Sequence, residues 1–406
     1  IEYLPTSWSG SDYGRITKGA ALAMKARAAL YYGDWQVAAD NAKKCMDLGV
    51  YELYDKDNTG KYAELFWEKA DGCNEFICIQ QHKAGVNGSY LLGWSAFPTL
   101  GWGGLNPTQS LVDAFEDIEG APIAKSALYD EKNPFANRDP RLEVNVLHDG
   151  EVMYDQTIKV APLKSSGNTG IGRHGDATAT GYYMQKWLDP SVYPLTDGWD
   201  MGKDQVVIRY AEVLLNWIEA KAELGAVTQD DLDKSVNQLR RRPLDATAEA
   251  KGIKNTPDMV LADITADFDP ARDPDVSPIL WEIRRERMVE LMGQGFSFYD
   301  VKRWHKAAYY ANRQPCGAWV TATDLPYGTG KYTGQFVDYN EIQQTGSATP
   351  QNNDAGSGWI YTKHGPLTVG SGWNDIFYLE MVPQDQINLN PALVQNPGYN
   401  ELFGLN

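Results

Sequence analysis

GRITKGAALAMKARAALYYGDWQVAADNAKKCMDLG, residues 14–49, is the stretch whose reading decides the fold. Ala20, Ala21, Ala23, Ala26, Ala28 and Ala29 make its first half strongly helix-forming. Gly33 is the residue type that follows a helix end, and Asp34 behind it is suited to cap a second helix. That helix carries Ala38, Ala39, Ala42, Cys45 and Met46 at near-helical spacing, and Gly49 closes it. Small side chains at Ala26, Ala38 and Ala42 allow the two backbones to approach closely, with Trp35 positioned to cover the seam.

A helical hairpin of this size and pattern is the tetratricopeptide unit of about 34 residues. One hairpin cannot bury its own apolar face, so others must stack on it. Working outward, QVVIRYAEVLLNWIEAKAEL (205–224) repeats apolar residues at the helical period, and Gly225 ends it. Residues 230–242 are its expected partner, stopped by Pro243. ILWEIRRERMVELMGQG (279–295) and FSFYDVKRWHKAAYY (296–310) form a third pair around Gly293 and Gly295. Helices are therefore expected at 15–32, 34–48, 206–224, 230–242, 279–293 and 298–311.

Between and beyond the hairpins the pattern is irregular. Glu75–Gln80 alternates as a short strand, Lys61–Phe66 reads as a helical turn, and 163–181 as a surface loop. Thr108 caps a helix in PTQSLVDAFED, with Leu111, Val112 and Phe115 on its apolar face. A turn at Pro140 leads into a strand-like run, and 180–190 reads as a short aromatic strand. Residues 313–375 lose helical period, and the tail reads as an extended strap with turns at Asn390–Pro391 and Asn396–Pro397. Residues 85–107, GVNGSYLLGWSAFPTLGWGGLNP, hold glycines and aromatics with no charge at all, a composition that predicts no regular element. Their rings either fold onto the core or face a ligand.

Composition narrows the function classes. The chain has 406 residues, 43% of them hydrophobic, too many for disorder. A net charge of −17 argues against nucleic acid and against an anionic membrane surface. The aromatic excess lies in 13 Trp and 23 Tyr against 11 Phe. Such rings pair an apolar face with a polar tip and suit wet binding surfaces and the faces of sugar rings. The cysteines, Cys45, Cys73, Cys78 and Cys316, match no zinc spacing and no disulfide framework. No apolar run is long enough to span a bilayer. The opening IEYLPTSWSGSDYG reads as the start of a mature or truncated piece, with its targeting segment expected outside this sequence.

Motifs for catalysis are missing. There is no GxSxG, phosphate loop or HExxH, and GWGGLNP lacks the strand and helix of a dinucleotide loop. Asp113, Glu116 and Asp117, like Glu286 and Glu290, read as acids on solvated helix faces rather than a glycosidase pair facing across about 5–9.5 Å. Arg284, Arg285, Arg287, Lys302 and Arg303, beside Glu282, Glu286 and Glu290, read as intrahelical pairs, and so do Arg209 and Glu212. No catalytic residue, metal ligand or cofactor is expected.

Six segments in order resemble the SusD/RagB family of nutrient-binding lipoproteins. They are GRITKGAALAMKARAALYYGDWQVAA, NPTQSLVDAFE with RDPRL, TGYYMQKWLDP, VIRYAEVLLNWIEAKAELG, IRRERMVELMGQGFSFYDVKRW and MVPQDQINLNPALVQNPGY. The resemblance departs at the front, where family members carry a lipidated cysteine and a long helical region before the first block. It implies a mainly α fold: tetratricopeptide-like hairpins packed against a loop-rich region with a few short strands. It implies one domain over 1–406, with repeat elements at 14–49, 206–243 and 279–311 and irregular segments at 50–205 and 312–406. It also implies a non-enzymatic protein on the Gram-negative outer-membrane surface, lipid-anchored outside this sequence. Such a protein captures oligosaccharides, or in some members peptides, and caps a SusC-like TonB-dependent transporter. Tyr90, Trp94 and Trp102, with Asn87, Asn106 and Gln109 as hydrogen-bonding groups, are the ligand candidates the family pattern favours. Trp319, Tyr327, Trp359 and Trp373 form a second group. An intracellular tetratricopeptide adaptor and a secreted glycosidase are the rival readings; the long aromatic irregular stretches speak against the adaptor.

Overall fold

The computed structural model describes residues 1–54, 62–98, 100–161, 164–171, 174–194, 198–244, 250, 252–321, 335–345, 347–352, 357–362 and 373–403. The first hairpin forms as its sequence dictates. Helix α1 (Lys18–Tyr32) is capped by Thr17, whose hydroxyl accepts from the Ala20 N–H at 3.1 Å. Gly33 takes a left-handed φ of 87°, which a side chain would resist. Asp34 then accepts from Val37 N–H at 3.1 Å and starts α2 (Trp35–Met46). Ala26, Ala38 and Ala42 are wholly buried at the seam.

The middle of the chain builds the site and one large core. Strand β1 (Phe76–Gln80) is followed by three single-turn helices, α3 (Leu91–Ser95), α4 (Gln109–Asp113) and α5 (Arg141–Asn145). Helix α3 lies inside the segment whose composition predicted no regular element; Leu92 and the close-packing Gly93 hold it against the core. Thr108 caps α4 as expected. The run after Pro140 is first helical and only then extended, as β2 (Val146–Leu147). A small hairpin, β3 (Val152–Met153) and β4 (Gln156–Thr157), precedes β5 (Tyr183–Met184), which pairs with β2. Residues in the expected surface loop 163–181 turn inward: Thr169, Ile171, Thr178 and Thr180 are buried. Phe97, Phe115, Leu142, Leu147, Ile158, Tyr182 and Trp187 share this core.

Strand β6 (Gln205–Arg209) corrects the helix expected from 206. Its β-branched run pairs antiparallel with β1, and the helix α6 (Tyr210–Glu223) begins only where that pairing ends. Helix α6 packs against α2 on one side and against α9 (Pro278–Glu290) on the other, which is why nearly all of it is buried. The expected helix 230–242 is broken into α7 (Gln229–Asp233) and α8 (Val236–Arg240) at Ser235, whose φ and ψ of −134° and −95° are not helical. The expected 298–311 is likewise α10 (Ser297–Arg303) and α11 (Ala307–Ala311), parted by His305 at φ 53°. The region without helical period contains a four-stranded antiparallel sheet in the order β7 (Cys316–Thr321), β10 (Ser357–Tyr361), β8 (Gln335–Val337), β9 (Gln351–Asn352), with α12 (Tyr339–Thr345) beside it. The tail carries α13 (Gln384–Leu389) and α14 (Tyr399–Phe403) rather than a plain strap.

The charged residues of α9 are not a solvated face. Glu282, Glu286 and Glu290 are buried, and so are Arg284, Arg285 and Arg287. Glu286 is paired with Arg141 at 2.5 Å and Arg240 at 3.0 Å. Glu290 is paired with Arg209 at 2.7 Å and Arg242 at 3.1 Å, and both arginines also grip Glu75 at 2.9 Å. On the opposite side Glu219 of α6 receives Arg303 at 2.7 Å and the Trp304 indole at 2.6 Å. Arg209 and Glu212, expected to pair with each other, instead reach Glu290 and Arg27. Burial alone would raise the Glu219 carboxyl, but Arg303, Arg287 and Arg284 outweigh it and bring it down from 4.5 to about 2. A carboxylate depressed by folding stabilises above its unfolded pKa and loses that contribution as pH falls toward the folded value. The Glu219 contribution to thermal stability is therefore expected to be lost between about pH 4.5 and 2, whereas Glu282, which burial raises to about 7, weakens the fold as pH rises from about 4.5 to 7. A melting temperature unchanged from about pH 4.5 to pH 2 would contradict the first effect.

Candidate functional site

Residues 82–98 and 100–107 form a tight scaffold under a group of rings. Asn87 closes the first turn: its amide donates to Gln81 C=O at 2.9 Å and its oxygen accepts from Lys83 N–H at 3.0 Å. The turn is tied to a distant strand of chain, since Gly85 N–H donates to Asp200 at 2.7 Å and Ser89 pairs with Met201. Gly93 is the pivot. Its N–H donates to Gly198 C=O at 2.8 Å and its carbonyl accepts from Trp102 N–H at 2.9 Å. A Cβ there would lie 2.5 Å from the Trp199 ring, so only glycine lets that indole lie flat on the helix backbone. Asn106 holds the far end, donating to Gly103 C=O at 2.8 Å and accepting from Ala179 N–H at 3.0 Å.

On this scaffold stand Tyr90, Trp94, Trp102 and Trp199. Trp102 lies 4.6 Å from Trp199 and 5.0 Å from Trp94, and Tyr90 is 6.5 Å from Trp199. Tyr90, Trp94 and Trp102 remain 60%, 47% and 53% exposed, so the cluster is displayed rather than buried. Four rings sharing one surface exceed what scattered exposed apolar residues need as explanation. Gly93→Ala is expected to push Trp199 out of register with Trp102, shift tryptophan fluorescence, and cost about 1–3 kcal/mol, as overpacking does. An unchanged spectrum and melting curve would show that the ring group does not depend on this approach.

The chain matches the family model described as the SusD family over residues 78–399. The protein belongs to the SusD family. Its fold matches a SusD-like carbohydrate-binding protein of Bacteroides fragilis at 25% identity and a TM-score of 0.73, covering 96% of this chain and 68% of that one. A second SusD-like protein of Bacteroides fragilis matches at 26% identity and 0.68, covering 98% and 68%. Surface glycan-binding protein A from Bacteroides fluxus shares the fold at 19% identity and 0.53, over 98% and 66%. Comparison with curated proteins finds no match.

Within this SusD-family chain the structure joins Tyr90, Trp94 and Trp102 and adds Trp199, which the sequence reading missed. The signal was present: a lone indole between Gly198 and Asp200 in a polar turn. Asn87 and Asn106 border the rings, but their amides hold backbone, so they shape the loop. Gln109 is buried, bonded to the Tyr182 hydroxyl at 2.7 Å. Trp319 and Trp359 make no ring contact with the first group. They face each other across β7 and β10 with centroids 4.6 Å apart. Trp359 is 6% exposed and packs on Tyr339, which makes it core of the small sheet rather than a displayed ring. Trp373 packs on Tyr378 at 5.1 Å, and Tyr327 lies outside the described residues. The acids weighed as surface groups are largely committed elsewhere. Glu116 is paired with Arg240 at 3.0 Å and with Arg285, and Asp117 closes its own turn through Glu119 and Ala121 N–H.

Proposed function

We propose that this protein is a non-catalytic, cell-surface oligosaccharide-binding protein that hands its ligand to a TonB-dependent outer-membrane transporter. The observation that carries the binding reading is the exposed group Tyr90, Trp94 and Trp102, backed by the half-buried Trp199, on a backbone tied at both ends. Flat rigid rings of this kind supply contact area at low entropic cost. Membership of the SusD family, and solved relatives named as carbohydrate-binding and surface glycan-binding proteins, support the same ligand class. The commitment of Glu116, Glu286 and Glu290 to arginines supports the non-catalytic reading. The proposal takes residues 1–406 as one unit, supported by the β1–β6 pairing and by the ion pairs from Glu75 and Arg141 to the helices.

No helix among the described residues is long and apolar enough to cross a membrane. A lipid anchor is the proposed attachment; one acyl chain binds a bilayer only marginally, so a transporter would add retention. Native protein solubilised from membranes is expected to co-purify with a TonB-dependent barrel and to bind neutral oligosaccharides without releasing reducing ends. Partner-free protein in every preparation would sink the transporter half. Turnover abolished by one carboxylate substitution, with binding kept, would sink the non-catalytic half.

A further inference from the structure

A second concave site lies beyond α4, away from the ring group. It is a cleft of about 610 Å³, within the usual range for small-molecule sites, between α4, α9, α11 and α12. Trp281 and Tyr309 form one corner of it, their rings perpendicular at 87° with centroids 6.1 Å apart. Both are fixed at their polar ends: the indole donates to Asp269 at 2.7 Å and the phenol to Ala271 C=O at 3.2 Å.

The cations at this cleft differ from those around α9. Arg313 lies over the Tyr309 ring at 4.5 Å, and Arg272 donates to the Val276 and Asp273 carbonyls. Neither makes an ion pair among the described residues, in a chain whose net charge is −17. Arg272 Nε and Gln314 Nε2 are shielded from solvent and have no hydrogen-bond acceptor among the described residues. Buried donors are ordinarily satisfied, so two orphans on one cleft point to an absent acceptor. The acids there are Asp269, engaged by Trp281, and Asp113, whose Oδ1 accepts from Gln109 at 2.9 Å while its Oδ2 is buried without a hydrogen-bond donor among the described residues and burial raises its pKa.

We propose that this cleft is a second saccharide subsite that takes an acidic sugar residue, its ring against Trp281 and Tyr309 and its anionic group on Arg272 and Arg313. This rests on the carbohydrate-binding reading above. The chemistry is an anion of planar or tetrahedral oxygens, which a guanidinium recognises through paired N–H donors. Only five residues separate Trp102 from Thr108 at the cleft edge, a span of at most about 22 Å, so one extended oligosaccharide reaches both sites.

The test is calorimetric titration of the full chain with trigalacturonic acid, its neutral methyl ester, and a sulfated carrageenan oligosaccharide with its desulfated form. The expected result is at least tenfold tighter binding of an acidic ligand than of its neutral counterpart, weakened by added salt. Arg313→Gln and Arg272→Gln should each erase most of that difference. Preference for the galacturonate or for the carrageenan pair identifies carboxylate or sulfate. Equal affinity for charged and neutral forms, or an acidic preference that survives both substitutions, overturns the inference. The charged–neutral comparison uses unaltered protein, so a variant that folds poorly does not remove the test. Neutral binding without acidic preference defeats this subsite alone; absence of binding to every saccharide, neutral panels included, defeats the carbohydrate reading as well.

Discussion

Glu290→Gln is expected to lower unfolding free energy by about 3–5 kcal/mol, the usual cost of removing one partner from a buried ion network. Glu290 is wholly buried where α9 ends, and its carboxylate meets Arg209 at 2.7 Å, Arg242 at 3.1 Å and Arg141 at 3.5 Å. Burial would raise its pKa, yet Arg242, Arg209 and Arg141 hold it well below the ordinary carboxylate range. Lys186 lies beside them, its amine 3.3 Å from the Glu290 carbonyl and 2.9 Å from that of Met292, and burial together with Arg209 pushes its pKa well below the usual lysine value. Glutamine keeps the shape but removes the charge, leaving Arg141, Arg209 and Arg242 with Glu75, Glu286 and Asp139 to balance them among the described residues. Asp230→Asn serves as comparison: its pair with Lys234 is 69% and 54% exposed, and such surface pairs contribute under about 1 kcal/mol. Denaturant titration of the two variants decides the matter. Losses below 1 kcal/mol for both would show that the network adds nothing net to stability.

This network also marks where the sequence stops being legible. The hairpin of α1 and α2 could be read because every determinant is local: alanines for propensity, Gly33 for a left-handed φ, Asp34 for the cap. The network is not local. Arg209 meets Glu75 across 134 residues and Arg141 meets Glu290 across 149. Helical spacing suggested pairs within α9, and Arg285 does meet Glu282 there, but Glu286 and Glu290 are paired with arginines from elsewhere in the chain. One local hint existed: Glu282, Glu286 and Glu290 repeat every four residues, and like charges so spaced repel unless cations arrive from elsewhere. Strand β6 was hidden for a related reason. Ile208 sits at a helical interval before Ala211 and Leu214, and only the presence of β1 decides that Gln205–Arg209 is extended. The candidate site was half legible. Glycines beside tryptophans announced close approach of rings and backbone, but Trp199 comes from about a hundred residues away, held by Gly198 and Gly93.

Trp102→Ala is expected to weaken binding of neutral oligosaccharides at least tenfold, about 1.4 kcal/mol, with little change in melting temperature. The ring is 53% exposed, so its removal opens no enclosed cavity. Its backbone stays fixed by the bond from Trp102 N–H to Gly93 C=O. Trp94→Ala should also weaken binding but cost more stability, because that ring lies under Gly104, where even a Cβ would come within 3.0 Å. Trp359→Ala should behave in the opposite way. That side chain is 6% exposed between Trp319 and Tyr339, and its loss should cost about 3–5 kcal/mol while leaving affinity at the ring group intact. The three variants separate a displayed platform from a core. If Trp102→Ala binds as tightly as the parent and melts far lower, the rings near Gly93 are structural. If Trp359→Ala instead loses binding while staying stable, the small sheet carries the ligand.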